Sequence, residues 1–259
     1  MKDKAAGAQS TPPIRRWALE RLSRIFLVAT GVAVFGLLVA FVIVARRSPD
    51  LFFLGAGAAT PASTRFAVAV VSTPTPDLPR IALLAGHSGG ADPGAICPDG
   101  LREVDVTTDV SARAKTILEA RGYRVDILAE FDKRLSAARR DYSPRAFLAI
   151  HADSCVNYAS GYKVARAANS AIAPEDDRLV RCVSVAYAAA TLLPFHAGSI
   201  TNDMTQYHGL NEIDPKSPAA ILELGFLGSE YDLLKNKRNL LAEGVANGVD
   251  DFMQGNACK

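Results

Sequence analysis

Close cysteine pairs are absent from this 259-residue chain. Its four cysteines, Cys97, Cys155, Cys182 and Cys258, show no C-x-x-C spacing, so a thiolate zinc site is not expected and none is read as a ligand. Strong net charge is also missing. The 29 Lys and Arg against 27 Asp and Glu leave +2, too little to argue for nucleic acid as a partner. No internal repeat is visible, and histidine is scarce, with four in all.

One stretch lacks charge altogether. Residues 25–45 (IFLVATGVAVFGLLVAFVIVA) carry none, and about 20 apolar residues at ~1.5 Å each match a hydrocarbon core of about 30 Å. Lys2, Lys4, Arg15, Arg16, Arg21 and Arg24 precede it, and the smaller pair Arg46-Arg47 follows. The positive-inside rule then predicts a cytoplasmic segment 1–24, a transmembrane helix 25–45 and an extracytoplasmic remainder. The competing reading is a cleaved signal peptide, whose apolar region is usually shorter, at about 7–15 residues; Gly55-Ala56-Gly57-Ala58-Ala59 is a candidate cut site. Residues 46–79 are rich in Ala, Thr, Ser and Pro, which suits an extended linker. An exported domain can oxidise its thiols, so one disulfide is expected. Cys97 and Cys155 each follow a histidine-bearing loop; either can pair with the other or with Cys182, and the sequence does not choose.

After Pro79 short apolar runs alternate with helical periodicity. Strands are expected at 80–85, 123–128, 146–150, 161–166 and 219–223. Helices are expected at 103–121, which ends at the capping Gly122, at about 133–141, a basic stretch with Arg134, Arg139 and Arg140, and at 176–192 and about 230–253. The alternation predicts one three-layer α/β domain over 80–254, a mostly parallel twisted sheet flanked by helices, followed by a tail at 255–259.

Polar residues of one chemical kind fall at the ends of these strands. His87 follows the first, His151 the third, and Glu223 ends the fifth, while Glu103 opens the helix after the glycine-rich His87 loop. In open α/β sheets ligands gather at the carboxyl ends of strands. Two His and one Glu can hold Zn²⁺ with a position left for water, and a further carboxylate can act as base. Any one strand-end His is more often structural, and Glu103 alone would be an ordinary first-turn acid. Glu223, set between Leu222 and Leu224, is harder to dismiss, because an unpaired carboxylate in an apolar run is costly.

These residues sit in recognisable blocks: Gly86-His87-Ser88-Gly89-Gly90 with Asp92-Pro93-Gly94-Ala95, then Gly100-Leu101-Arg102-Glu103, Ile150-His151-Ala152 and Glu223-Leu224-Gly225-Phe226. In content and order they resemble the zinc-dependent N-acetylmuramoyl-L-alanine amidases of the bacterial cell wall. The resemblance implies that His87, Glu103 and His151 bind Zn²⁺ and that Glu223 is the general base. The implied substrate is peptidoglycan, cut between N-acetylmuramic acid and the L-Ala of the stem peptide. Where the family has Asn, this chain has Asp153, which would alter the charge near substrate. By the same resemblance His208 and Asn211, in Thr205–Asn211, lie where relatives contact substrate, against a surface or structural role for His208; His196 is read as structural. Relatives under activator control carry an extra helix over the zinc. Residues 193–218 are too short and turn-rich for one, so an open site with no activator protein is expected. Two alternatives stand: a zinc peptidase acting on another peptidoglycan amide, and a wall-binding module without catalysis.

Overall fold

The computed structural model describes residues 77–136 and 141–259. In chain order the elements are β1 (Arg80–Ala85), α1 (Glu103–Ala120), β2 (Arg124–Leu128), β3 (Ala146–Asp153), β4 (Lys163–Ala165) and α2 (Ala173–Thr191). There follow a 3-10 turn (Ala197–Ser199), α3 (Asn202–Thr205), α4 (His208–Glu212), β5 (Ala219–Phe226), α5 (Tyr231–Asn236) and α6 (Arg238–Met253). The five strands lie in the order β2-β1-β3-β5-β4, all parallel except β4, which runs antiparallel to β5.

The strands read as continuous apolar runs because both sheet faces are covered. Successive side chains alternate between two cores. Ile81, Leu83, Leu148, Ile150, Leu222 and Leu224 face α1, α2 and α6, joined by Val106, Val110 and Leu118 from α1. Ala82, Leu84, Phe147, Ala149 and Ile221 face the other way, onto Leu135, Tyr142, Met204, Leu210 and Ile213. The third layer is therefore thin: α3, α4 and loops, against three long helices opposite. Within the thick layer α2 and α6 meet closely, because a Cβ on Gly248 would lie 2.5 Å from Val183 Cα.

Several expectations need adjusting. The basic stretch at 133–141 forms turns over 131–136 with no helix; residues 137–140 lie outside the described region. There Arg134 closes onto Asp132, with Nε 2.9 Å from Oδ1, so a short-range carboxylate competes with helix formation. The closing helix is two helices, broken at Lys237, which leaves helical geometry at φ −119. Strands β3 and β5 run about three residues past their expected ends, since pairing continues from His151↔Glu223 through a register shift to Asp153↔Phe226. There are two disulfides, not one: Cys97–Cys155 and Cys182–Cys258. The second ties the tail at 255–259 to α2. No helix among the described residues is long and apolar enough to cross a membrane. The expected transmembrane helix 25–45 and the linker as far as residue 76 lie outside those residues.

Candidate active site

Four backbone segments converge at the carboxyl end of the sheet. β1 ends at Ala85, and the chain turns through Gly86 so that His87 stands over the strand end at φ +62, in the left-handed region. The turn is tied to α1 by Thr107, whose Oγ1 donates to Gly86 O at 2.8 Å. α1 begins at Glu103, and its buried carboxylate returns to the same edge. Glu103 Oε2 accepts the Ala95 N–H at 3.0 Å, and Oε1 accepts the Ala152 N–H at 3.0 Å. These two amides, from the loop after His87 and from β3 beside His151, aim the carboxylate between the two imidazoles.

His87 Nε2 lies 3.3 Å from Glu103 Oε2, and His151 Nδ1 lies 3.2 Å from Glu103 Oε1. One ligand atom from each of the three residues falls within 4.8 Å of the other two. The glycines make room for this packing. A Cβ on Gly86 would lie 2.5 Å from His151 Cε1, and one on Gly94 would overlap Glu103 Oε2 and come within 2.7 Å of His87 Cδ2.

The electrostatics favour a cation here. The Glu103 hydrogen bond leads the effects that raise His87 to about 9. Burial opposes charge on His151, yet Glu103 and Glu223 bring its pKa up on balance. Burial also works against ionised Glu103, but hydrogen bonds from both histidines hold it down to about 2. Each imidazole thus recruits a proton, a place that a metal can take. Four buried side-chain polar atoms among the described residues lack a hydrogen-bond partner, and two of them, His151 Nε2 and Glu223 Oε2, lie at this cluster. A donor set of two imidazoles and one carboxylate, closely spaced in a low-dielectric pocket, fits Zn²⁺.

Glu223 sits beside the cluster by strand register. It pairs with His151 across β3–β5 and with Lys163 across β4–β5. Burial raises its carboxyl to about 7, while His151 pulls the other way. Asp153 does not present a free charge: Lys163 Nζ forms an ion pair with it, and its Oδ1 accepts the Ser154 N–H at 2.6 Å. The cluster lies between two depressions. One, of about 580 Å³, is lined by His151, Glu223, Asp153, Lys163, His196 and Tyr207 among others. The other, of about 630 Å³, runs from His87 and Asp92 past Arg102 and along Asp105 and Asp109 of α1.

Residues 193–218 form one wall of the first depression through Thr201, Met204 and Tyr207. His208 has both nitrogens engaged, Nε2 at 2.9 Å from Glu130 Oε1 and Nδ1 at 3.2 Å from Glu212 Oε2, and it stacks on Phe131. Asn211 is turned away from the cluster. Its Nδ2 donates to Gln206 O and Tyr207 O, and it lines a separate hollow beside Leu210 and Ile213. His196 bonds Ser199 Oγ at 2.6 Å and lines the same depression as Glu223. Sequence reasoning overlooked Glu130, which follows β2 as His87 follows β1. Its signal was its place at a strand end.

The family model for N-acetylmuramoyl-L-alanine amidase matches residues 81–251. The amidase AmiC of Neisseria meningitidis is 41% identical over 81 residues, 29% of this chain but only 19% of that protein's length. In three dimensions the chain resembles the N-acetylmuramyl-L-alanine amidase of Mycobacterium smegmatis, with a TM-score of 0.59 at 20% identity over 68% of this chain and 97% of that one. It also resembles an amidase of Nostoc punctiforme, with a TM-score of 0.51 at 24% identity over 68% and 97%. The CwlD amidase of Clostridioides difficile, solved with the GerS lipoprotein, gives 0.53 at 19% over 69% and 100%. At these identities the structural likeness speaks for the fold, whereas the family match spans well over half the sequence: this chain belongs to the N-acetylmuramoyl-L-alanine amidase family.

Proposed function

We propose that this chain hydrolyses peptidoglycan at the amide between the lactyl group of N-acetylmuramic acid and the L-Ala of the stem peptide. The observation that carries this reading is the His87–Glu103–His151 cluster with Glu223 set against it by β3–β5 register, in a chain of the amidase family. The depressions on either side suit a substrate that extends both ways from its scissile bond.

His87, Glu103 and His151 would hold Zn²⁺, which when bound supplies a Lewis acid that polarises the scissile carbonyl and acidifies water beside it. Glu223 is the general base in this reading. Its carboxylate takes a proton from the attacking water and returns it to the leaving L-Ala amine, a role for which a carboxyl held near neutrality by burial is suited. Glu103 faces each of the two imidazoles with one oxygen. Lys163 neutralises Asp153, so the floor of the first depression carries a compensated pair rather than a bare acid.

The catalytic domain is placed outside a bacterial membrane in this proposal, on an anchor at 25–45 and a linker at 46–79. The support is the uncharged stretch with its basic N-terminal flank, together with two disulfides, which persist in oxidising compartments. Carbonate extraction of membranes and protease access from outside intact spheroplasts test this placement.

The activity is tested by incubating the full chain with purified peptidoglycan and Zn²⁺, then identifying the new ends. Free lactyl carboxyl groups with N-terminal L-Ala are expected. New ends within the stem peptide would instead mark a zinc peptidase, and binding without new ends a module that lacks catalysis. Glu223→Gln is expected to retain zinc and lose about 10²–10⁴-fold in kcat; wild-type turnover in that variant would remove Glu223 as base.

A further inference from the structure

One buried carboxylate bonds both the His87 loop and the Tyr207–His208 wall without belonging to the three-residue cluster. Glu130 follows β2 and is 8% exposed. Its Oε2 accepts the backbone N–H of His87 at 2.6 Å. Its Oε1 accepts the Tyr207 hydroxyl at 2.6 Å and the His208 Nε2–H at 2.9 Å. Its own N–H donates to Ser88 O at 3.0 Å, which closes a small ring between the β1 and β2 loops. The same Oε2 faces His151 Nε2 at 3.8 Å, and this nitrogen has no hydrogen-bond partner.

These contacts bear on both imidazoles. His87 holds a left-handed backbone, φ +62, which costs a non-glycine residue about 1–2 kcal/mol and persists only when its surroundings over-determine it. The charge-assisted bond from its N–H to Glu130 is one such constraint. His151 presents Nδ1 to Glu103 and Nε2 towards Glu130, so opposite edges of the ring meet different carboxylates. His87 is arranged alike, with Nε2 towards Glu103 and Nδ1 3.4 Å from Asp92 Oδ2. Each imidazole therefore faces Glu103 with one nitrogen and has a second carboxylate beside the other, at 3.8 Å for His151 and 3.4 Å for His87. On its far side Glu130 holds Tyr207, whose ring packs edge-on against His151 at 5.1 Å between centroids.

We infer that Glu130 is a positioning residue of the metal centre: it locks the backbone of His87, holds Tyr207 where its ring packs on His151, and so joins both imidazoles to the Tyr207–His208 wall. The inference rests on the metal-centre reading of His87, Glu103 and His151. It assigns Glu130 no contact with substrate; the carboxylate acts through the two imidazoles and the wall.

The test uses the full chain as wild type, Glu130→Ala and Glu130→Gln, with zinc dissociation constants from chelator competition and kcat and KM on peptidoglycan fragments at saturating zinc. Glu130→Gln preserves shape but has one acceptor oxygen. It must turn an amide donor either to the His87 N–H or to Tyr207 and His208. Loss of an outer-shell partner typically weakens metal binding about 10–100-fold, and this range is expected for Glu130→Ala, with about tenfold for Glu130→Gln. Because Glu130 acts through the ligands, kcat should fall in both while KM stays near wild type. If either folded variant kept the wild-type zinc constant and kcat, with only its melting temperature lowered, Glu130 would be a structural residue and the inference overturned. Should Glu130→Ala not fold, Glu130→Gln decides alone. A wild-type chain that neither binds zinc nor cuts peptidoglycan would refute the proposed function itself, a separate outcome visible before any variant is compared.

Discussion

Three glycines near the cluster separate backbone strain from steric crowding, and alanine at each makes a sharp test of the metal centre. At Gly100 the backbone has φ +89, but an added Cβ meets nothing within 4 Å. Gly86 has no positive φ, but its Cβ would lie 2.5–2.6 Å from three atoms of the His151 ring. Gly94 has both features: φ +71, overlap with Glu103 Oε2, and 2.7 Å to His87 Cδ2. Left-handed geometry costs alanine about 1–2 kcal/mol. Gly100→Ala should therefore lower stability by that amount and leave zinc affinity untouched. Contacts about 0.9–1.0 Å inside an ordinary separation of about 3.5 Å cannot be absorbed without moving the ring. Gly86→Ala should displace His151 and weaken zinc about 10–100-fold, equivalent to about 1.4–2.8 kcal/mol, with a smaller loss in the apo protein. Gly94→Ala should show both effects. Urea unfolding of the apo protein reads the first quantity and chelator competition the second. Wild-type zinc affinity in both Gly86→Ala and Gly94→Ala, or a zinc defect in Gly100→Ala as large as theirs, would refute the placement of the metal at His87, Glu103 and His151.

Further outcomes follow from the same geometry. The Cys97–Cys155 bridge closes a separation of 58 residues and links the loops after β1 and β3, so chain entropy puts its contribution at about 4 kcal/mol. Replacing both cysteines by serine should lower the melting temperature and zinc affinity together. Removing Cys182–Cys258, with a separation of 76, should lower the melting temperature alone; equal zinc loss in both would contradict this. The pH profile of kcat/KM should show an acid limb set by Glu223. Burial raises that carboxyl to about 7, so its ionised form is lost as pH falls through that value. A cation held at the neighbouring cluster favours the ionised form and moves the limb lower. The midpoint should therefore lie below about 7, and a limb that persisted unchanged in Glu223→Gln would assign it to another group.

Much of the domain was legible in the chain because both sheet faces are buried. A strand covered on both sides needs an unbroken apolar run, and RIALLA, AFLAI and AAILE are such runs. The strand-end rule places His87, His151 and Glu223 at one edge, where the fold holds them. Where reading failed, the deciding force was not local. The stretch at 133–136 has helical composition, yet the Asp132–Arg134 contact and the burial of Leu135 beneath the thin layer hold it in turns. The joint at Lys237 separates α5 from α6 although the apolar pattern runs through it.

By itself the sequence determined the alternation of strands and helices, the family blocks, and the residue types able to hold a metal, since periodicity and short motifs are local properties of a chain. Only the tertiary structure decided which cysteines pair, because pairing depends on how loops distant in sequence approach. It also decided that Asp153 is neutralised by Lys163, a cross-strand neighbour of Glu223 that no motif marks. The fold likewise decides that Asn211 Nδ2 donates to the backbone carbonyls of Gln206 and Tyr207, contacts that no motif marks. Glu130 is the clearest case. Along the chain it is one acid among 27 acidic residues. In the fold, β2 lies beside β1, and that adjacency carries its carboxylate to the backbone of His87.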